Sequence, residues 1–361
     1  MSVTAGGAGS VRDLLSGRRR GPVAVVLRFL LLAATPLYRL ALALRSLAYA
    51  VGIRRTYPPA VPVVSVGNLT AGGTGKSPFV AYLVDRLAER GLRAGVVSRG
   101  YRSRDGELGD EGKDLLAARP DVIRVEEPDR VYGSALAVSR GAEVIVLDDA
   151  FQHRACARDL DIVLIDAMEP FGHGHLLPRG LLREPLSALG RADVIVITRA
   201  DLISPDDLGS LADRLEALAP DALIVRAVHA PRSLTGLDAG ATRDLAELRG
   251  RRVAALSGIG NPEAFEATLR LLGAEVVATI RHPDHHDHTE RDLGEAETRA
   301  RDAGAAWIVT TSKDAVKLEG LEAPMGEPPV LVLAVEIGIL DAEERLLAML
   351  LERVAPERDD D

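Results

Sequence analysis

Residues 61–77 read VPVVSVGNLTAGGTGKS, and this stretch decides the fold. Its first half is uncharged and rich in β-branched residues, which predicts a buried strand over Val61–Val66 that ends at Gly67. A glycine-rich turn follows, and residues 79–90 then place apolar side chains at helical spacing. A strand, a glycine-rich turn and a helix in this order are the context of a phosphate-binding P-loop.

The turn has the chemistry that binds nucleotide phosphates. Its glycines let successive backbone N–H groups face an anion, and the helix N-terminus adds partial positive charge. Lys76 is predicted to reach the β- and γ-phosphates, and the Ser77 hydroxyl to hold Mg²⁺. The predicted nucleotide site therefore consists of Thr70, Ala71, Gly72, Gly73, Thr74, Gly75, Lys76 and Ser77. Thr70 replaces the first glycine of the general motif, and a tight turn without a ligand is the alternative.

Composition limits the class of protein. Cys156 is the only cysteine, which excludes an intrachain disulfide and indicates a reducing compartment. Aromatic residues make up only 3% of the chain, so base-stacking platforms for nucleic acid are not expected. Residues 1–55 hold nine arginines and one acid, whereas the whole chain carries a formal charge of −9. A basic arm on an acidic body predicts an anionic membrane surface as a partner, and no nucleic acid.

The N-terminal region predicts membrane contact. We interpret residues 1–21 as a disordered basic tail and residues 22–54 as a membrane-associating amphipathic helix. Arg28, Arg39 and Arg45 interrupt its apolar sequence, and Pro36 is expected to kink it. The longest uncharged run is too short to span a bilayer, which favours a helix that lies in the interface. A helix packed on the core of a soluble protein is the alternative.

Alternating strand and helix patterns predict two α/β domains. Residues 55–228 are predicted to form a P-loop nucleotide-binding domain, a mostly parallel sheet with helices on both faces. Residues 229–246 are interpreted as an inter-domain connection, and residues 247–355 as a second, smaller α/β domain. The strands predicted in the first domain are Val61–Val66, Ala94–Ser98, Val122–Val125, Val144–Asp148, Asp161–Asp166, Val194–Thr198 and Leu223–Arg226.

Residues 144–149, VIVLDD, are an apolar strand that ends in two carboxylates, as in a Walker B element. Beside a P-loop, Asp148 and Asp149 are predicted to hold Mg²⁺. His153 follows a few residues later, and Arg99 follows another predicted strand. The carboxyl ends of strands in open α/β sheets are where ligands bind.

Two loops carry further candidates. Residues 172–185, GHGHLLPRGLLREP, contain Arg183, which suits a phosphate, and Glu184, which suits a metal ion. A surface salt bridge between these two residues is the alternative. Residues 109–111, GDE, have the pattern of a solvated turn when taken alone.

The second domain contains two polar motifs. Residues 282–288, HPDHHDH, permit zinc binding, acid/base chemistry or a merely exposed histidine cluster. Residues 311–314, TSKD, are similar to a base-reading motif of P-loop GTPases, and residues 198–201, TRAD, are a looser version.

Together these motifs resemble the tetraacyldisaccharide 4′-kinase family, the lipid A 4′-kinases of bacteria with an outer membrane. The similarity spans about residues 22–320 in family order. The matching segments are VGNLTAGGTGKSP (66–78), SRGY (98–101), GDE (109–111), DDAFQH (148–153), LLPRGLLREP (176–185), GIGNP (258–262), PDHH (283–286) and TTSKDAVKL (310–318). The chain departs from the family at Ala150, Leu181, His173 and His175, whereas Thr70 fits it.

The resemblance implies transfer of the γ-phosphoryl group of ATP, with Mg²⁺, to the 4′-hydroxyl of an acylated glucosamine disaccharide 1-phosphate. It implies that Asp110 is the catalytic base, that His285 pairs with it, and that Lys76 acts at the P-loop. The implied metal residues are Ser77, Asp148, Asp149 and Glu184, and those near the substrate are Arg99, His153 and Arg183. A monomer on the cytoplasmic face of the inner membrane, peripheral or monotopic, is expected.

Two other functions are compatible with the sequence. A P-loop GTPase or regulatory switch is favoured by TSKD and TRAD, but no D-x-x-G motif follows the Walker B strand. A P-loop ligase acting on a soluble acid is the second, in which the N-terminal helix serves only for packing.

Overall fold

The computed structural model describes residues 13–100, 119, 121–237, 242–284, 286–318, 321 and 327–354. The chain divides into two compact units. The P-loop unit contains the described residues of Ser10–Val228 and Gly338–Asp361, and the second unit contains those of His229–Ile337.

The P-loop unit is built on a parallel sheet. Within its described residues the strand order is β3-β2-β4-β1-β5-β6-β7, and every neighbouring pair of these strands is parallel. Strands β1, β2, β4, β5 and β6 are buried at each residue, as expected where helices cover both faces. The strands are β1 Val63–Asn68, β2 Ala94–Ser98, β3 Ile123–Glu126, β4 Val144–Asp148, β5 Leu160–Asp166, β6 Val194–Thr198 and β7 Leu223–Gly236, of which residues 229–236 belong to the second unit.

This strand order positions the candidate site. Strand β1 lies between β4 and β5, and Val66 of β1 is in register with Asp148 of β4. The loop after β1 and the carboxylates after β4 therefore leave the same edge of the sheet side by side. The predicted fold class, a P-loop-type parallel sheet with helices, is confirmed.

Strand β1 begins and ends two residues later than predicted. Pro62 precedes it, and a proline cannot donate to the strand ladder. Gly67 continues the strand rather than ending it, because a Cβ there would lie 2.6 Å from the backbone nitrogen of Phe151. Glycine is needed at this position for close approach of the backbone after β4, and not for a turn.

Five α-helices of ten or more residues are described in the P-loop unit. Residues 13–16, within the tail that was predicted to be disordered, form a short helical turn with Leu14 and Leu15 buried. Helix α2 begins directly after Gly75, whose φ of 87° is left-handed and costs glycine little. It buries Phe79, Leu83 and Leu87. The helices are α1 Pro22–Ala50, α2 Lys76–Ala88, α3 Arg130–Ser139, α4 Pro205–Leu218 and α8 Glu343–Val354.

Helix α1 is continuous from Pro22 to Ala50 with Pro36 inside it, and the kink at Pro36 stays a prediction. Large apolar side chains on it are mostly exposed, among them Phe29, Leu37 and Leu44. Among the described residues it is the one helix long and apolar enough to cross a membrane, judged by length and composition alone.

The second unit is a smaller parallel sheet with helices. Its described strands follow the order β11-β10-β8-β9, with parallel registers. Side-chain caps begin two of its helices: Asn261 accepts from the N–H of Ala264, and Thr289 forms a capping box with Asp292. The elements are β8 Arg252–Ser257, α5 Pro262–Leu271, β9 Glu275–Arg281, α6 Glu290–Asp302, β10 Trp307–Thr311, α7 Ser312–Leu318 and β11 Val330–Ile339.

Two segments differ from the sequence-based expectation. Strand β7 continues to Gly236, through the first half of the predicted connection, and Leu234 is buried in the core of the second unit. Helix α8 belongs to the P-loop unit, although its sequence position suggested the second domain. Leu346 and Leu350 are buried there, and Glu343 accepts a hydrogen bond from the Tyr82 hydroxyl at 2.8 Å. Helical periodicity identifies an apolar face but not the surface that will cover it.

Candidate active site

Lys76 lies between two oxygen atoms at the start of α2. Its Nζ donates to Asn68 Oδ1 at 3.2 Å and lies 3.4 Å from Asp149 Oδ1. Asn68 is buried at the end of β1, and its amide nitrogen also donates to the carbonyl of Thr70 at 2.7 Å. Strand β1 therefore both begins the P-loop and orients its lysine. Asn68 was not among the predicted site residues, although it lies within residues 61–77.

Asp149 is held between two cations. Arg183 Nη1 donates to both carboxylate oxygens, at 2.9 and 3.0 Å, and Lys76 Nζ lies near one of them. Burial opposes ionisation of Asp149, but Lys76 and Arg183 outweigh it and lower its pKa to about 2. The residue also has a φ of 51°, which is uncommon for a non-glycine residue and typical of functional sites. Asp149 is therefore an ionised carboxylate at neutral pH, fixed beside the P-loop lysine.

The neighbouring Asp148 ends β4 in a buried position. Arg130 at the start of α3 donates to its carbonyl at 3.0 Å. Burial lowers the pKa of the Arg130 guanidinium, while Asp148 and Asp149 act in the opposite direction. Burial, together with the positive charges of Arg130 and Arg99, lowers the pKa of His153. The lowered pKa favours the neutral form of His153 at pH 7. Arg130 was not predicted from sequence, because its contact with Asp148 exists only in the folded protein.

The loop of residues 172–185 docks on the start of the P-loop through its backbone. Arg183 N donates to the carbonyl of Leu69, and Ala71 N to the carbonyl of Leu181, both at 2.7 Å. These bonds place Arg183 next to Asp149. Leu181 stands where the family has another residue, yet its carbonyl makes this contact through the main chain.

Glu184 is only 4% exposed and faces two arginines. Arg45 of α1 pairs with one carboxylate oxygen, and Arg191 donates to the other at 2.5 Å. A buried carboxylate needs such partners. The alternative of a surface salt bridge between Arg183 and Glu184 is wrong, because Arg183 pairs with Asp149 and Glu184 pairs with Arg45 and Arg191. The metal role of Glu184 stays a prediction.

The P-loop is also supported from β6. Thr198 Oγ1 donates to the carbonyl of Thr74 at 2.9 Å. Arg199 donates to the carbonyl of Gly73 at 3.1 Å and to Asp166 at 2.6 Å. The TRAD segment thus has a structural contact to the phosphate loop, which its similarity to a base-reading motif did not suggest.

In the second unit the TSKD segment is a structural hub. Asp314 is fully buried, and its carboxylate accepts from Gly258 N at 3.0 Å and from Thr311 Oγ1 at 2.8 Å. His288 Nε2 lies 3.2 Å from it. Burial opposes the charge, but the bonds to His288, Gly258 and Thr311 lower the pKa of Asp314. The Asp314 carboxylate thus joins the ends of β8 and β10. Because its oxygens already bond Gly258, Thr311 and His288, this arrangement argues against Asp314 as a residue that recognises a guanine base.

We expect Asp314→Ala to lower the free energy of unfolding by about 3 kcal/mol, because it leaves buried donors without an acceptor. Chemical denaturation of the purified protein measures this loss. Glu336→Ala is the matched control in the same unit, since its 2.6 Å pair with Arg232 is exposed and contributes about 1 kcal/mol or less. Equal losses in the free energy of unfolding for the two variants would contradict the structural role of Asp314.

The histidine cluster brings possible metal ligands together but in unsuitable orientations. Ligand atoms of His282, His286 and Asp292 lie within 4.8 Å of one another. The rings of His282 and His286 are stacked, with centroids 4.4 Å apart and planes at 12°. An imidazole lone pair lies in its ring plane, so a single ion cannot lie in both planes. Asp292 already accepts from Thr289 in the cap of α6. This geometry disfavours the zinc interpretation.

The structure thus brings together Lys76, Asp149 and Arg183, and it places Ser77 beside Lys76 at the N-terminus of α2. Asp110 and His285, the predicted base and its partner, lie outside the described residues. The remaining site assignments, including those of Arg99, His153 and residues 70–77, stay predictions.

A strand, a glycine-rich loop and a helix, with a lysine fixed between carboxyl and amide oxygens, define this chain as a P-loop protein. The sequence model described as tetraacyldisaccharide-1-P 4′-kinase matches residues 27–355. The chain belongs to this family, whose reaction is a step in lipid A biosynthesis. The resemblance, the kinase class and the lipid substrate class inferred from sequence are therefore confirmed.

Individual relatives agree with this assignment. The chain is 42% identical over 352 residues to the tetraacyldisaccharide 4′-kinase of Anaeromyxobacter dehalogenans, covering 92% of each chain. It is 39% identical over 348 residues to that of Geobacter sulfurreducens, covering 91% of this chain and 95% of the relative. The crystal structure of LpxK from Aquifex aeolicus in complex with ATP is similar with a TM-score of 0.66 and 28% identity, over 91% of this chain and 99% of that one.

Proposed function

We propose that this chain transfers the γ-phosphoryl group of ATP to the 4′-hydroxyl of a tetraacyldisaccharide 1-phosphate. The observation that carries the proposal is the arrangement of Lys76, Asp149 and Arg183 at the mouth of the P-loop. Two cations and an ionised carboxylate at a phosphate loop match the needs of phosphoryl transfer, which depends on positioning and on charge neutralisation. ATP as the donor is supported by the similar LpxK structure, which was solved with ATP.

The residues beside Lys76 fit Mg²⁺. Ser77 supplies a hydroxyl, and Asp148 and Asp149 supply carboxylates at the end of β4, which are hard oxygen ligands of the kind this ion prefers. The low pKa of Asp149, about 2, keeps it ionised for that role. We propose Ser77, Asp148 and Asp149 as the residues that would hold the ion. Glu184 stays a proposed further ligand, and it would have to release one of its two arginine partners to bind the ion. When bound, the ion would neutralise charge on the phosphate oxygens.

The protein's own groups then have separate tasks. Lys76 is proposed to stabilise charge on the transferring phosphoryl group, and Asn68 accepts a hydrogen bond from its ammonium at 3.2 Å. Asp110 is proposed to accept the proton of the 4′-hydroxyl, with His285 orienting it. Arg99, His153 and Arg183 are proposed to contact the polar part of the substrate.

The direct test combines ATP labelled at the γ-phosphorus with the disaccharide lipid in detergent. We expect label in the lipid with ATP, and little with GTP. Transfer that requires GTP, or nucleotide hydrolysis without labelled lipid, would instead favour a GTPase or switch. A ligase would be indicated if a truncation lacking residues 1–53 stayed active on a soluble acid and monodisperse without detergent.

We also propose that the protein works as a monomer on the cytoplasmic face of the inner membrane. The exposed apolar side chains of α1 and the arginines before it support membrane contact. The lipid substrate, which would stay in the bilayer, supplies the reason for such contact.

Neutralising Arg18, Arg19 and Arg20 is expected to weaken binding to anionic vesicles. The effect should be greater in low salt than in high salt, because screening already reduces the attraction in high salt. Co-sedimentation with vesicles of defined composition measures it. Equal binding of the wild type to neutral and anionic vesicles would contradict the electrostatic part of the proposal.

A further inference from the structure

Helix α1 contacts the loop of residues 172–185 at two points. The Tyr38 hydroxyl donates to the carbonyl of Arg183 at 2.9 Å, and the Arg45 guanidinium pairs with Glu184. The two residues are seven positions apart, which places them on one face of a helix. Tyr38 and Leu42 on this face also pack against a core cluster that includes Leu182. Side chains such as Leu37 and Leu44 are exposed, so the helix presents apolar surface outward as well.

The contact at Arg45 completes a buried charge cluster. Glu184 is 4% exposed, and its two oxygens are paired separately, one with Arg45 and one with Arg191. Arg191 follows Glu184 closely in sequence, whereas Arg45 is 139 positions away. Removing one partner of a buried ion pair leaves charge uncompensated. The orientation of Glu184 therefore depends on α1 as well as on its own loop.

The contact at Tyr38 fixes the backbone from which Arg183 reaches Asp149. Arg183 N is bound to the carbonyl of Leu69, its carbonyl is bound by Tyr38, and its guanidinium donates to both oxygens of Asp149. Asp149 in turn lies 3.4 Å from Lys76 Nζ. A continuous series of contacts thus joins α1 to the P-loop lysine, and each member is within hydrogen-bonding or ion-pair distance of the next.

We propose that Tyr38 and Arg45 are positioning residues for phosphoryl transfer, through which the seating of helix α1 holds Arg183 on Asp149. The helix that presents apolar side chains to lipid would then also set the geometry of Asp149 beside the P-loop lysine. Turnover, and not only capture of the lipid, depends on this seating. The inference rests on the proposed kinase function.

The test compares kcat and KM at saturating ATP, with the disaccharide lipid in mixed micelles. We expect Tyr38→Phe to lower kcat about threefold to tenfold, as for loss of one hydrogen bond, and Arg45→Gln to lower it about tenfold or more. KM for the lipid should change less than kcat. Tyr49→Phe is the matched control: it removes a hydroxyl from the same helix, where the ring lies beneath Arg154, and kcat should stay at the wild-type value.

A double-mutant cycle separates positioning from membrane anchoring. In an Arg183→Ala background, Tyr38→Phe should cost less than about twofold in kcat, because the group through which it acts is gone. Arg45→Lys, which keeps a cation for Glu184, should recover part of the loss. Melting temperatures of all variants are recorded, and Tyr38→Phe decides the outcome if Arg45→Gln unfolds.

Three results would overturn the inference: wild-type kcat in both single variants, a raised KM with unchanged kcat, or fully multiplicative losses in the cycle. In each of these three outcomes the wild-type protein still transfers label from ATP to the lipid. A wild-type protein that labels no lipid would refute the proposed function itself, so the two failures are distinguishable.

Discussion

Lys76→Ala is expected to lower kcat about a hundredfold or more, with a smaller effect on the KM for lipid. The ammonium is held by Asn68 and Asp149 at the start of the helix that follows the glycine-rich loop, where charge is proposed to develop on the phosphoryl group. Such a preorganised contact acts mainly in the transition state, and its loss therefore appears in kcat. Steady-state kinetics with labelled ATP measures both constants.

Arg86→Ala is the matched control for Lys76. It removes a cation from the same helix, but one that pairs with Glu89 at 2.8 Å away from the loop. We expect its kcat to stay within about twofold of the wild type, as for a surface ion pair. A Lys76→Ala variant as active as Arg86→Ala would show that the glycine-rich loop is only structural.

The second large effect is expected at Asp110 and His285. Alanine at either position should lower kcat by about 10²–10⁴, since each is proposed to serve the same proton transfer. The double variant should be little worse than the poorer single variant, because residues that act as one unit are not additive. ATP binding should persist in all three variants, since neither residue belongs to the P-loop. Single-turnover kinetics and nucleotide-induced thermal stabilisation give these values.

Asp105→Ala provides the control for Asp110, because it removes a carboxylate five positions earlier in the same polar segment. Its kcat is expected to match the wild type. Strictly multiplicative losses in kcat at Asp110 and His285, or a His285→Ala variant with normal kcat, would contradict the proposed pairing of these two residues. The kinase assignment would then rest on the P-loop and on the Asp148–Asp149 strand end.

The P-loop mouth also explains why a non-glycine residue is tolerated at the position after Asp148. Asp149 has a positive φ, and three contacts hold its carboxylate: two from Arg183 and one from Lys76. These charge-assisted contacts offset the cost of an uncommon backbone conformation, which is of order 1–3 kcal/mol. The uncommon backbone conformation thus occurs at a residue that is proposed to hold Mg²⁺ and that contacts the P-loop lysine.

Sequence alone determined the class of this protein. The order of strand, glycine-rich turn and helix is a local pattern, and so is an apolar strand that ends in Asp148 and Asp149. Buried parallel strands are continuous apolar runs, which is why β2, β4 and β6 begin and end as predicted. Errors occurred where the local signal was ambiguous, as at Gly67, where a strand glycine was interpreted as a strand end.

Tertiary structure alone decided which charges meet. Arg45 and Glu184 are 139 positions apart, and Lys76 and Asp149 come from different strand ends; their contacts follow from strand order and from the path of the loop. The same holds for Asp314, which resembles a base-reading acid in sequence but is buried among donors of its own unit. Periodicity records which side chains avoid water, whereas the partner of a buried charge depends on segments that only folding brings together.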